Sequence, residues 1–480
     1  MVWTALQKYS TMLIQFISGI ILARLLTPYD YGCIGMLAIF MMLAESFISG
    51  GFASALIQKK RPTQEDYSTI FWWNLGMAVL MYAILFACAP AISRFYNVSL
   101  LCDVLRVQGL ILFIYAFNIV QRNQLQKKLN FKVLSIVSVT TSLISLCITI
   151  FMAFKGFGVW ALVANNIISA AIPALVFWFY IKWRPIWIFS WDSFKELFSF
   201  GFYMFLTNLM NSLSAKIQGL LIGKIYSPVT MGYYSKADST EHMATSSITS
   251  VMTQVTYPLY AEAQNDLSQL ANMIRRITMT IAYFLFPLLF VLLLIAKPVF
   301  LLLYSDRWLN SVPYFQVLCL AGMGASLTAV NTQAIAAIGK SKLMFVWTVI
   351  KRVIGLSAIV GGLLWFGMKG LLAGVVFNNW FSYFINICLV SKHVGYKLWS
   401  QIRDLFPVAV VSLVAAAVSY GFGYLFHLNV YPDALLKMFV YAAIYLGWSF
   451  FFKPEAYTYF LTTIPDRFKL FNKLKKNNKK

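Results

Sequence analysis

Apolar runs, each near the ~20 residues that a helix needs to cross roughly 30 Å of hydrocarbon, follow one another almost end to end along this chain. Few folds accept such a pattern. With 60% of the 480 residues hydrophobic and only 11% charged, there is too little polar surface to coat one soluble core. The runs lie at residues 3–24, 32–57, 67–92, 104–121, 133–154 and 157–181, then at 199–222, 231–257, 275–296, 314–338, 343–366 and 369–390, and finally at 406–426 and 435–452. The expectation is an all-α polytopic membrane protein of about 14 transmembrane helices, because a helix satisfies its own backbone in lipid.

The net charge of +23 invites a nucleic-acid reading, but its placement opposes one. Roughly 25 of the 39 Lys and Arg residues fall in alternate loops and the C-terminal tail, among them Lys59, Lys60, Arg61, Arg122, Lys127, Lys128, Lys182 and Arg184. Basic loops stay inside, so both termini are expected in the cytoplasm, with the tail FKLFNKLKKNNKK near anionic headgroups. Nucleic acid is not an expected partner. Trp3 already stands at the edge of the first span, so the first helix rather than a cleaved signal is expected to direct insertion. The six cysteines show no CxxC spacing, and His242, His393 and His427 are dispersed, so neither disulfides nor a metal site are expected. The connections KWRPIWIFSWDSFKEL and AEAQNDLSQLANMIRR carry Trp, Pro and amphipathic patterning suited to the membrane interface.

The chain also repeats itself. SGIILARLLTPYDYG, residues 18–32, aligns without a gap on QGLLIGKIYSPVTMG, residues 218–232, so that Gly19, Arg24, Thr27, Pro28 and Gly32 fall on Gly219, Lys224, Ser227, Pro228 and Gly232. A second pair, GFGVWALVANN from Gly156 and MKGLLAGVVFNN from Met368, ends each time in adjacent asparagines. Two six-helix lobes follow, related by a pseudo-twofold axis along the membrane normal. Residues 1–198 are read as the N-terminal lobe, 199–392 as the C-terminal lobe, and 393–480 as two further helices with a basic cytoplasmic tail. Duplicated membrane bundles usually transport something.

Polar residues inside apolar spans mark candidate sites, since a charge at mid-membrane costs about 2.5–3.5 kcal/mol even on the mildest scale. Thr4, Gln7, Lys8, Thr11, Gln15 and Ser18 recur at three- and four-residue spacing on the first helix. The repeat offset adds Asn208, Asn211 and Gln218, with Lys216 beside them. Lys8, Gln15, Asn208, Asn211, Lys216, Lys351 and Arg352 are therefore substrate-cavity candidates, with interhelical hydrogen bonding as the competing reading. Arg24 and Lys224, at the predicted outer ends of paired helices, either bind an anionic group at an outer mouth or reach lipid headgroups. Glu45, Asp238, Glu241 and His242 are ion-coupling candidates, a locked internal salt-bridge network being the alternative for the last three. No residue set suggests catalysis, and no nucleotide motif or cofactor site is visible.

In the order ILARLLTPYDYG, GFASALIQKK, EDYSTIFWWNLG, FNIVQRNQLQKKLNFK, GFGVWALV, KWRP, SFKELFSFG, IGKIYSPVTMGYYSKADS, ITSVMTQVTYPLYAE and SDRWLNSVPYFQVLCLAGM, the chain resembles the polysaccharide transporter family. The resemblance is to Wzx-type, WzxC-like flippases, in the superfamily that includes MATE exporters. It implies a two-lobed bundle moving lipid-linked (polyprenyl pyrophosphate) oligosaccharide for lipopolysaccharide, capsule or exopolysaccharide across the bacterial inner membrane by alternating access. It also implies a basic cytoplasmic lead that is absent before Trp3. Membrane lipids and polysaccharide polymerase or export proteins would be its partners. Where the family tends to read Tyr-Tyr-Asn-Arg-Ala, this chain has Tyr233, Tyr234, Ser235, Lys236 and Ala237; Lys236 keeps the charge but not the bidentate fork of Arg. A multidrug or cation exporter of the same architecture is the alternative. A membrane-embedded polysaccharide polymerase or ligase is the remoter one, lacking the large outer loop such chemistry needs.

Overall fold

A computed structural model describes residues 2–52, 55–56, 59, 61–263, 266–338, 341–426 and 428–458. The C-terminal basic tail lies outside the described residues. Every regular element among them is a helix. In chain order these are α1 (Val2–Leu25), α2 (Pro28–Ser49), α3 (Gln64–Tyr96), α4 (Leu100–Gln108), α5 (Ile111–Lys127), α6 (Phe131–Phe154), α7 (Val159–Tyr180) and α8 (Trp191–Ile225). There follow α9 (Pro228–Glu262), α10 (Leu267–Leu294), α11 (Ala296–Tyr304), a 3₁₀ turn at Asp306–Ser311, α12 (Val312–Ala337), α13 (Ser341–Val394), α14 (Leu398–Phe426) and α15 (Val430–Phe452). Ten segments of the described chain are long and apolar enough to cross a membrane, so this is a multi-pass membrane protein. α1, α8 and α9 are not among the ten, because their polar residues lower the hydropathy, although none is shorter than 24 residues.

Sequence chemistry explains where the helices start and bend. Thr27 and Asp30 form a capping box before α2, with the Thr27 backbone N–H donating to Asp30 Oδ2 at 2.8 Å, and Thr63 and Asp66 repeat it before α3. α13 is two helices joined at Gly367, whose φ of 60° and ψ of −142° no L side chain adopts without strain. Gly158 makes the α6–α7 turn with φ 53° and ψ −126°, so a near-identical glycine conformation opens both hairpins that the sequence pairs.

The chain divides into two compact units, one formed by Met1–Lys236 with Leu303–Trp308, the other by Ala237–Leu302 with Leu309–Lys480. Within the first unit the duplicated motifs meet reciprocally. A side chain at Gly32 would run into the Pro228 carbonyl, and one at Gly232 into the Pro28 carbonyl. An apolar core of Phe52, Phe71, Val120, Phe194 and Leu197, ringed by Trp72, Trp73, Trp178 and Trp183, closes one end of this unit. The non-helical 181–190 stretch is pinned to that end by the Trp72 Nε1–H donating to the Ile186 carbonyl at 2.8 Å and by Trp72 stacking on Trp187 at 4.2 Å.

In the second unit α14 and α15 pack on α10 through Tyr283, Tyr441 and Tyr445. The Tyr283 hydroxyl donates to Ser449 Oγ, and that of Tyr445 to the Tyr283 carbonyl, both at 2.8 Å. Arg275 adds an ion pair with Asp404 at 2.8 Å, and the Tyr396 hydroxyl donates to the same carboxylate.

Candidate functional site

Within the first unit lies a cavity of about 750 Å³ lined by seven helices, α4 contributing Gln108. α1 contributes Gln7, Thr11 and Gln15, one face at four-residue spacing; α2 contributes Met41, Met42 and Glu45; α5 contributes Tyr115, Asn118, Arg122 and Gln126. Ser138, Thr141 and Ser142 come from α6, Asn166 and Ser169 from α7, and Lys216 from α8. Gln7, Thr11 and Gln15, which weaken α1 as a membrane helix, therefore share one space with Lys216 of α8.

Hydrogen bonds fix the walls. Gln7 Nε2 donates to Ser138 Oγ at 2.8 Å, and Ser135 Oγ donates to Gln7 Oε1 at 3.3 Å, tying α1 to α6. Thr149 Oγ1 donates to Asn165 Oδ1 at 3.2 Å, and Ser145 contacts both Asn165 and Ser169, tying α6 to α7. The first asparagine of the Asn165–Asn166 pair thus holds the wall while the second faces the cavity.

Several lining groups are left unspent. Glu45, Arg122 and Lys216 take part in none of the ion pairs among the described residues. Gln108 Oε1, Asn118 Oδ1 and Thr141 Oγ1 are buried without a hydrogen-bond partner, although the Gln108 and Thr141 residues are only 6% and 4% exposed.

The candidates read from sequence divide by place. Gln15, Glu45 and Lys216 line the cavity. Lys8 is half-buried one residue off the lining face of α1, while Asn208 is exposed and Asn211 half-buried on α8. Arg24 donates from Nε to the Leu303 carbonyl at 3.1 Å, and Lys224 from Nζ to the Phe95 carbonyl at 2.6 Å. Both carbonyls belong to last turns of helices, α11 and α3, where no intrahelical donor remains. The duplicated cations hence do the same local work.

In the second unit Lys351 is buried and donates to Asn386 Oδ1 at 2.7 Å; the Asn386 amide in turn donates to Thr332 Oγ1 at 2.9 Å and the Thr328 carbonyl. Arg352 is half-buried next to it on α13. Glu241 is buried against Gly322, Asp238 is half-buried, and His242 is exposed.

Sequence reasoning missed the α5–α7 wall. Tyr115, Asn118, Arg122 and Gln126 already stand at three- and four-residue spacing, but the apolar run stops at 121 and so leaves Arg122 to a loop, whereas the helix runs to Lys127. Lys236, which keeps the family's charge without the fork of Arg, is used structurally. It is only 3% exposed, donates to the Gly19 carbonyl at 2.8 Å, and lies over the rings of Tyr304, Tyr31 and Trp308 at 3.9, 5.3 and 5.8 Å.

These features define a helical membrane protein with a polar chamber inside its first unit. Solved structures of similar fold include the lipid II flippase MurJ in an inward closed conformation, with a TM-score of 0.74 at 15% identity over 94% of this chain and 99% of that one. A MATE-family multidrug resistance transporter in an inward-facing conformation gives a TM-score of 0.59 at 15% identity, covering 82% of this chain and 94% of the other. The family model described as polysaccharide biosynthesis protein matches residues 21–313, and the chain belongs to that family. Relatives include the teichuronic acid biosynthesis protein TuaB of Bacillus subtilis, 26% identical over 72% of each chain. The lipopolysaccharide biosynthesis protein WzxC of Escherichia coli is 21% identical over 88% of this chain and 86% of its own length.

Proposed function

We propose that this protein is a flippase that carries lipid-linked oligosaccharide across the bacterial inner membrane by alternating access, supplying lipopolysaccharide, capsule or exopolysaccharide synthesis. The observation that carries this reading is the cavity: a chamber rich in amides and hydroxyls, with three charges, set among membrane-spanning helices. Each sugar hydroxyl moved unsatisfied into hydrocarbon costs on the order of 4–8 kcal/mol, so a few of them stop spontaneous flipping. A polar chamber replaces water during the crossing while the polyprenyl tail stays in the bilayer. Membership of the polysaccharide biosynthesis family and a fold like that of a lipid II flippase support the same reading.

In this reading the ten apolar segments, the bend of α13 and the polar helices α1, α8 and α9 make fourteen crossings, with both termini cytoplasmic. Residues 1–198 and 199–392 act as the two rocking lobes, and α14 and α15 stand beside them. Lys8, Lys216 and Arg352 are the candidates for the pyrophosphate; Glu45, Asp238, Glu241 and His242 are those for ion coupling. The protein acts as a transporter rather than an enzyme and hands its cargo to polymerase or export proteins. A multidrug exporter is the weaker reading, since two cations against one carboxylate in the cavity disfavour cationic drugs.

Reconstitution in liposomes with lipid-linked oligosaccharide tests the proposal. Accelerated leaflet exchange is expected. No exchange from protein verified as folded, with or without an ion gradient, would overturn it.

A further inference from the structure

Between the last turn of α7 and the first of α8 the chain is neither helix nor loose loop. Pro185 has no N–H to give a helix and disfavours helical backbone at Arg184, so residues 181–190 run as a strap instead. One side of α3 fixes its backbone. Gln64 Nε2 donates to the Arg184 carbonyl at 2.7 Å, and the Ile186 N–H donates to Ser68 Oγ at 3.1 Å. Trp72 donates to the Ile186 carbonyl, and the Ser190 N–H to Thr69 Oγ1 at 3.1 Å. Gln64, Ser68 and Trp72 stand four residues apart, which is what places them on one helix face.

The fixed strap turns its bulk outward. Trp187 is 88% exposed although it stacks on Trp72, Trp191 is 63% exposed, and Ile188 and Phe189 are exposed between them. Phe189 meets Trp191 edge-on with ring centroids 5.1 Å apart, so these side chains form one surface, and exposed apolar surface of this kind marks a partner or a membrane. Lys182, Arg184 and Lys195 are exposed among them, against the single carboxylate of Asp192 in residues 181–195. Arg184 is steadied by two bonds from Nη1, to the Ile181 and Trp183 carbonyls at 2.7 and 2.8 Å, and a guanidinium has further donors beyond that nitrogen. The exposed surface also continues backwards through Tyr180 and Phe179 into α7, an apolar membrane-spanning helix. A soluble partner could not follow it there. A bilayer supplies both halves of the match, a glycerol level for indole rings and phosphates for Lys and Arg. Lys182 and Arg184 lie among the basic loops expected on the cytoplasmic side.

We propose that this strap is a docking surface for anionic phospholipid of the cytoplasmic leaflet, with Trp187, Ile188 and Trp191 seated at the glycerol level and Lys182, Arg184 and Lys195 against headgroup phosphates. The bonds to α3 set the depth of that seating, and the charge of the leaflet sets its strength. The surface stands apart from the cavity and does not depend on what the protein carries.

The test places a fluorophore at Ile188→Cys in the full chain on a cysteine-free background. The protein is held in nanodiscs of fixed phosphatidylcholine and phosphatidylglycerol content, in which one lipid or the other carries a quencher high in its acyl chain. Quencher-bearing phosphatidylglycerol is expected to reach half-quenching at a mole fraction about fivefold lower than quencher-bearing phosphatidylcholine, the preference that one basic residue near an anionic surface supplies. Lys182→Gln with Lys195→Gln is expected to reduce the preference, and Arg184→Gln added to them to remove it, while quenching by phosphatidylcholine persists because the rings stay inserted. Melting temperature checks folding; if the triple variant is unfolded, the double variant, which keeps the Arg184 bonds, carries the comparison. Absence of quenching by either lipid would put the strap in water or against a protein and overturn the proposal. Equal quenching by both lipids in the wild-type strap, or a preference undiminished by the substitutions, would leave apolar insertion without headgroup pairing and overturn it as well.

Discussion

Lys236 shows how a single buried charge can be structural. The ammonium is drawn out of water, which is costly, and is repaid by the Gly19 carbonyl and by three ring faces, each cation–π contact being worth about 2 kcal/mol when desolvated. Its partners come from far along the chain: Tyr304 and the fully buried Trp308 belong to the short Leu303–Trp308 stretch that joins the first unit. Trp308 Nε1 also donates to the Ala23 carbonyl at 2.7 Å, so lysine and tryptophan fasten that stretch together. Three rings line the space, so filling it is expected to matter. Lys236→Met is expected to leave stability within about 1 kcal/mol of wild type, as volume-conserving changes do. Lys236→Ala, which empties the cage, is expected to cost about 2–5 kcal/mol. Thermal unfolding in detergent compares them, and equal losses in both variants would mean that the charge, not the packing, holds the stretch.

At the scale of elements, one glycine hinge and one acidic cap carry predictions. Gly158 holds a conformation open essentially to glycine alone, and a methyl group there would also lie 2.9 Å from Asp30 Oδ1, a member of the α2 capping box. Gly158→Ala is expected to lower stability by about 1–3 kcal/mol, measurable as a drop in melting temperature, whereas alanine at Gly76, which has open space around it and no such torsion, should change little. Asp266 caps α10 by accepting from the backbone N–H of Gln269 and the side chain and backbone of Ser268, and these bonds hold its carboxyl below the usual aspartate range. A lowered folded-state pKa means that the cap's contribution is full above about pH 4, the unfolded value, and is lost as pH falls through the folded one. Amide exchange in the first turn of α10 should therefore rise on acidification below that point, and Asp266→Asn should remove the dependence. Much of this was legible beforehand: the apolar runs located most helices, and the Gly156 and Met368 hairpins were found by their repetition. The wall of the cavity was not, because hydropathy ends α5 at 121 while the backbone, whose polar face looks into a chamber rather than lipid, goes on to Lys127. The Lys236 cage was hidden for another reason. No local spacing connects a lysine to rings some seventy residues later.

For the molecule as a whole, the open question is from which side the cavity is loaded, and the charge pattern bears on it. Gln7, Gln126 and Phe131 bound the cavity near the α5–α6 junction, at Lys128–Asn130, which is among the basic loops that should remain cytoplasmic. Cargo assembled in the cytoplasm would then enter at that end. Orientation is set by where Lys and Arg lie near the ends of short loops, and the net charge of +23 is mostly an expression of that bias. The test is a cysteine-free background with single cysteines at exposed positions. Lys128→Cys and Lys182→Cys are expected to react with a membrane-impermeant maleimide only after the cytoplasmic face is opened, and Ser99→Cys and Lys155→Cys to react in intact cells. Gln126→Cys, at the rim of the cavity, should label like Lys128→Cys but be protected by saccharide. An inverted pattern would put the rim on the outside and make the cavity a release site instead of a loading site. Protection at Gln126→Cys without protection at Lys128→Cys would tie the saccharide to the cavity itself, because the two positions share a loop end and differ chiefly in whether they face the chamber.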